Sequence, residues 1–220
     1  EKSSESIADT LINGIFGRVT GDAGSRFVIA IGQAIFLVLF LILYGDCIAA
    51  RQRIGAVYFF SRISNRKKWI LKEFVWLLFY SVLYTFCFVG MHMIFSIWGS
   101  SEADLSGTLF KVAFQIGLFL TLLLFEMAVL CNLFCAAGGS AIGILLSMLC
   151  VIGLIMWSTA EVDGMVSEMI NPMWLSADII ENGGSYIQKI IIVFLQTAIC
   201  AVGTGYYLAK RDLFAREGEG

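Results

Sequence analysis

Residues 27–44 read FVIAIGQAIFLVLFLILY, and residues 140–157 read SAIGILLSMLCVIGLIMW; neither stretch holds a charge. A helix needs about 20 apolar residues to cross roughly 30 Å of hydrocarbon, so each is a membrane span by itself. Working outward, three further spans fall at about 69–98, with the apolar body starting near Phe74, at 108–134 and at 190–209. Trp69, Trp98, Trp157, Tyr186, Tyr206 and Tyr207 mark their ends, where amphipathic rings prefer the interface. The predicted fold class is therefore all-α integral membrane, a helical bundle with five spans. Composition agrees: among 220 residues 59% are hydrophobic, 15% are charged and one is proline. Such a chain lacks both the charge for a soluble surface and the breakers of a soluble fold. A soluble enzyme is excluded, and no nucleic-acid partner is expected.

Direction follows from the connections. Ten of the fifteen Lys and Arg lie in two places, Arg51 to Lys72 and Lys210 to Arg216. Basic residues near span ends stay in the cytoplasm, which puts residues 46–68 and the tail 210–220 there, with the turn at Ala136 to Gly139. The connection with Glu102 and Asp104, and the long one over 158–188 with Glu161, Asp163, Glu168, Asp178 and Glu181, then lie outside. Residues 1–26 also fall outside. They carry Ile7, Leu11, Ile12, Ile15 and Phe16 at helical spacing, which predicts an amphipathic surface helix, with a disordered leader as the bland alternative. Their export calls for an upstream span, so a six-span bundle with both ends in the cytoplasm is expected.

Chemistry has few places to reside. There is no phosphate-cradling GxxxxGK[ST] and no HExxH or paired intramembrane aspartate, so no catalytic residues and no metal site are assigned. Cys131 and Cys135 share a helical face without a His or carboxylate beside them and read as packing. His92, the one histidine, sits between Met91 and Met93; a copper ligand is conceivable there, and interfacial packing is the stronger reading. Glu126 is the one acid deep in a span, at about 2.5–3.5 kcal/mol if charged at mid-bilayer. Gln115 lies eleven residues earlier, which brings it to within about 20° of the same direction. The pair reads either as the lining of a translocation path or dimer seam, or as a protonated acid bonding a neighbouring helix. Gly139, Gly143 and Ser147, and again Ala201 and Gly205, form small-residue stripes that permit close helix contact.

The segment GDCIAARQRIGAVYFFSRISNRKKWILKE interleaves Arg51, Arg53, Arg62, Arg66, Lys67 and Lys68 with Val57, Tyr58, Phe59, Phe60 and Ile63. An apolar side that needs burial and a charged side that does not suit docking onto a cytoplasmic protein, or else lying on an anionic membrane surface. Gly55-Ala56-Val57, then Arg62-Ile63-Ser64-Asn65-Arg66 and Lys72, resemble the motifs between the second and third spans of permease subunits of type-2 ATP-binding-cassette transporters. Ile63 stands where that family has proline, and Arg53 stands near the family's acidic position. The closing KRDLF and the outer Asn171-Pro172 are similar to the same family.

The resemblance implies a half-transporter that pairs with a second permease, a copy or a paralogue, and with two separate ATPase subunits that bind the ATP and Mg; this chain itself would hold no cofactor. A coupling helix from about Ala50 to Lys68 would contact the ATPase through Arg51, Arg53, Gly55, Tyr58, Phe59, Phe60, Arg62, Arg66, Lys67 and Lys68. Short extracellular gate helices would include Val162, Met165, Met169, Pro172 and Trp174, with Val166 and Ile170 on the same face. Small permeases of this kind resemble bacterial peptide, bacteriocin and cytolytic-toxin exporters, so export of amphipathic peptides across a bacterial inner membrane is expected. The alternatives are export of lipids or drugs, a metal transporter, and a membrane receptor or assembly factor that moves nothing.

Overall fold

The computed structural model describes Leu11, Ile15 and residues 23–55, 66–99, 107–159, 171, 179–180 and 182–210. Six helices are described along their length: α1 (Ala23–Tyr44), α2 (Cys47–Gly55), α3 (Arg66–Gly99), α4 (Gly107–Gly138), α5 (Ser140–Thr159) and α6 (Gly183–Lys210). Among the described residues there is no strand. Five helical stretches are long and apolar enough to cross a membrane: α1 running on into α2, then α3, α4, α5 and α6. The protein is a multi-pass membrane protein.

α4 is the axis of the bundle. Some 67% of its spanning stretch is buried, against 28% of α3 and 22% of both α5 and α6, and it packs on all five other helices. Its core is Leu109, Ile116, Phe119, Leu123, Leu124, Ala128 and Val129. The peripheral helices turn large apolar side chains outward, among them Ile35 and Leu39, Phe86 and Ile94, Leu145 and Leu149, and Ile199 and Val202. A soluble protein would bury these; hydrocarbon accepts them. α1 and α3 meet through aromatic rings, Phe36 with Tyr84 and Tyr44 with Tyr80 at centroid separations of 5.1 and 4.8 Å. Tyr84 Oη also donates to the carbonyl of Phe36 at 3.1 Å.

The small-residue stripes join helices within the chain. Gly143 lets α5 rest on the backbone of α4 at Cys135, and Gly205 lets α6 approach the Phe74 ring of α3. Gly139 adopts φ +94° between α4 and α5, and its N–H closes α4 on the carbonyl of Cys135 at 3.0 Å. Glycine takes this left-handed conformation without steric penalty. The turn at Ala136 to Gly139 is thus a single-residue hinge between two antiparallel helices.

Several boundaries differ from the sequence reading. Arg66, Lys67 and Lys68 open α3, while residues 56–65 of the expected coupling helix lie outside the described residues. At 1.5 Å per residue the 34 residues of α3 reach about 51 Å, well beyond the hydrocarbon, so its first turns can carry hydrated cations. α6 starts at Gly183, seven residues before the expected 190. Asn182 caps it, Oδ1 accepting from the N–H groups of Gly184 at 3.2 Å and Ser185 at 3.5 Å. A Gly-Gly pair reads as a breaker in sequence; the cap outweighs it. Leu11 and Ile15 are helical and buried; the other apolar positions of that expected surface helix, Ile7, Ile12 and Phe16, lie outside the described residues.

Candidate functional site

The α1–α2 junction is where the basic segment joins the bundle. The helical run is interrupted at residues 45 and 46, and Asn132 of α4 bonds the backbone just beyond the interruption. Its Oδ1 accepts from the N–H groups of Ile48 at 2.8 Å and Ala49 at 3.1 Å, while its Nδ2 donates to the carbonyl of Ala128 at 2.8 Å. Asn132 is fully buried. It supplies from another helix the cap that the first N–H groups of α2 require. The local candidate for that role, Asp46, is engaged elsewhere, its Oδ2 accepting from Ser140 Oγ at 2.8 Å.

The rest of α2 is fastened by its charges. Arg51 Nη1 lies 2.5 Å from Glu73 Oε2 of α3, with Arg51 half exposed and Glu73 nearly buried. Arg53 Nη2 donates to Ser140 Oγ at the start of α5. Ile48, Ala49 and Gln52 face inward and are buried, whereas Arg51 and Arg53 look out. A nine-residue helix is therefore tied to α3, α4 and α5 at once. Of the expected coupling positions, Arg51, Arg53 and Gly55 fall on α2 and Arg66, Lys67 and Lys68 on α3. Tyr58, Phe59, Phe60 and Arg62 lie outside the described residues.

Cys131 and Cys135 sit beneath this junction, their Sγ atoms 3.9 Å apart, and a Cβ at Gly45 would come within 2.7 Å of Cys131 Sγ. They fill the close approach of α1, α4 and α5. Among the described residues no three His, Cys, Asp or Glu come together. His92 meets the ring of Phe88 edge-on at 4.6 Å.

Along α4, Gln115 near the start and Glu126 at mid-helix are both buried and both meet α6. Glu126 Oε2 lies 3.3 Å from Thr197 Oγ1, and its Oε1 lies 3.8 Å from Cys200 Sγ. The carbonyl of Gln115 accepts from Tyr186 Oη at 2.9 Å. Tyr186 is thus a buried interhelical tie, where the sequence placed it among interfacial aromatics.

At the end of the bundle away from the Arg/Lys segment, Lys189 is fully buried and its Nζ donates to the carbonyl of Asn171. Asn171 in turn donates from Nδ2 to the carbonyl of Leu154 in α5 at 3.2 Å. The gate residues proposed from sequence, Val162, Met165, Met169, Pro172 and Trp174, lie outside the described residues. Sequence reading also missed Asn132, Lys189 and Thr197. The signal for the last two was present, since Tyr186, Lys189, Val193, Thr197, Thr204 and Leu208 follow one helical face. We expect Lys189→Met, which keeps the apolar stem and removes the donor, to lower stability by about 2 kcal/mol, read as a lower Tm in detergent; an unchanged Tm would deny Lys189 this tethering role. No protein-family model, curated protein or solved structure matches the chain.

Proposed function

We propose that this protein is the permease subunit of a type-2 ATP-binding-cassette exporter in a bacterial inner membrane, working with a separate ATPase and a second permease, and moving amphipathic peptides outward. One observation carries this reading: the short helix that opens the basic segment is bonded to three other helices by Asn132, Glu73 and Ser140. A segment that only set topology, or only lay on lipid, would need no such fastening. One that takes force from a motor would, because displacement of α2 must move the spans rather than bend a joint. The Arg and Lys that follow supply charge for an acidic cleft on the ATPase, and the aromatic residues at 58–60 supply apolar contact. The ATPase would bind ATP and Mg and perform the hydrolysis; this chain would convert its closure into helix movement.

The test is co-purification of ATP-binding-cassette ATPases with the protein from its native membrane, comparing wild type with the Arg62→Glu/Arg66→Glu double variant. We expect at least about tenfold weaker association, equivalent to roughly 1.4 kcal/mol, and a parallel fall in ATP turnover. Unchanged association and turnover would remove the coupling reading. Vesicles containing both subunits and supplied with ATP separate a transporter from a passive receptor, since the receptor moves no peptide.

A further inference from the structure

α6 presents its polar side to protein and its apolar side outward. Tyr186, Lys189, Thr197 and Thr204 are buried, while Ile191, Phe194, Ile199 and Val202 are exposed. α4 meets this polar side with Gln115 and Glu126, so the interface of the two helices is a polar seam through the apolar bundle.

Hydrogen counting at the middle of the seam is decisive. A threonine hydroxyl has one hydrogen. Thr197 Oγ1 lies 2.8 Å from the carbonyl oxygen of Val193 and 3.3 Å from Glu126 Oε2. One hydrogen cannot serve both the carbonyl and an ionised Glu126, since each only accepts, and the carbonyl is the nearer of the two; it takes the hydrogen when Glu126 is protonated. Thr197 then offers Glu126 lone pairs alone. A carboxylate would compete with the carbonyl for that hydrogen, with only a thiol at 3.8 Å to help on the other oxygen. A carboxylic acid fits both contacts, its O–H donating to Thr197 and its carbonyl accepting from Cys200. Cys200 is the titratable group facing Glu126 from α6; among the described residues no charged side chain of α1, α2, α3 or α5 bears on it. An ionised Glu126 would thus be an unpaired charge inside the bundle, which costs several kcal/mol.

We infer that Glu126 is a proton-binding site, and that the α4–α6 seam closes around the protonated carboxyl with Thr197 as its acceptor. When the helices part and water enters, the O–H bond of Glu126 breaks, its proton passes to water, and a solvated carboxylate remains. Closure takes one proton back from water and restores the bond to Thr197. An opening of the seam would therefore release one proton and its closure would take one up.

Infrared spectroscopy of the full chain in lipid bilayers, with carbon-13 in glutamate, tests this directly. At neutral pH we expect a carboxylic-acid carbonyl band in the wild type, its loss in Glu126→Gln, and a shifted band in Thr197→Val. Thr197→Val keeps the carboxyl, so the test stands even if Glu126→Gln fails to fold. Absence of the band in the wild type, its survival in Glu126→Gln, or a band unmoved by Thr197→Val would each overturn the assignment.

Discussion

Alanine at position 143 is expected to destabilise the protein by about 2–3 kcal/mol, while alanine at position 153 of the same helix is expected to stabilise it by about 0.5–1 kcal/mol. A Cβ at Gly143 would fall on the backbone N and Cα of Cys135 and only 2.5 Å from its Sγ. The first two are main-chain atoms of α4, which cannot rotate away, so α5 must lift off the helix against which the bundle is built. Ser147 would feel the same shift, because its hydroxyl is buried and bonded to the carbonyl of Gly143 at 2.8 Å. Gly153 has no atom within 4 Å of such a Cβ, so alanine there only removes backbone freedom from the unfolded chain. Thermal unfolding of both variants in one detergent settles the matter. Changes of the same sign would show that α5 does not rest on α4 through Gly143.

Replacement of Asn132 by alanine should cost about 2–4 kcal/mol. Two N–H groups of α2 lose their acceptor in a buried place, at about 1–3 kcal/mol for each orphaned group, offset by any bonds they regain within the helix. The gain is available because the N–H groups of Ile48 and Ala49 could return to the helical ladder once Asn132 no longer holds them. Asn132→Asp keeps the acceptor and sets a carboxylate at a helix N-terminus, where the dipole favours it, so it should lose less than half as much. Equal losses for the two variants would mean that the volume at 132, and not the cap, matters. The same variants bear on docking: if α2 transmits force, Asn132→Ala should uncouple ATP turnover from transport while leaving association with the ATPase in place.

Five spans were legible in the chain because each is a long apolar run, and a run of that length has few other solutions in water or lipid. The ends were less legible, and α6 shows why. Its first turn contains Gly183 and Gly184, which disfavour helix, and the side chain of Asn182 compensates for them by capping. Tyr186 was placed among interfacial aromatics and Lys189 drew no reading, although both lie on the buried face of a helix. Gln115 and Glu126 are both buried, but eleven-residue spacing says nothing of what either one meets. The α1–α2 junction illustrates the limit most fully, since the side chain that caps α2 stands 84 residues away from Ile48 in the chain.

The chain alone therefore determined that this protein lives in a membrane, how many times the described stretch can cross it, and where its basic residues gather. These are properties of local composition, because transfer into hydrocarbon is summed residue by residue along a segment. Only the tertiary structure decided that α4 is the axis, that α2 is held by a distant asparagine, and that the polar side of α6 faces a buried acid. Those depend on which helices become neighbours; the polar side of α6 could be read from its spacing, but not what it meets, and elsewhere lipid-facing and protein-facing positions are largely apolar alike.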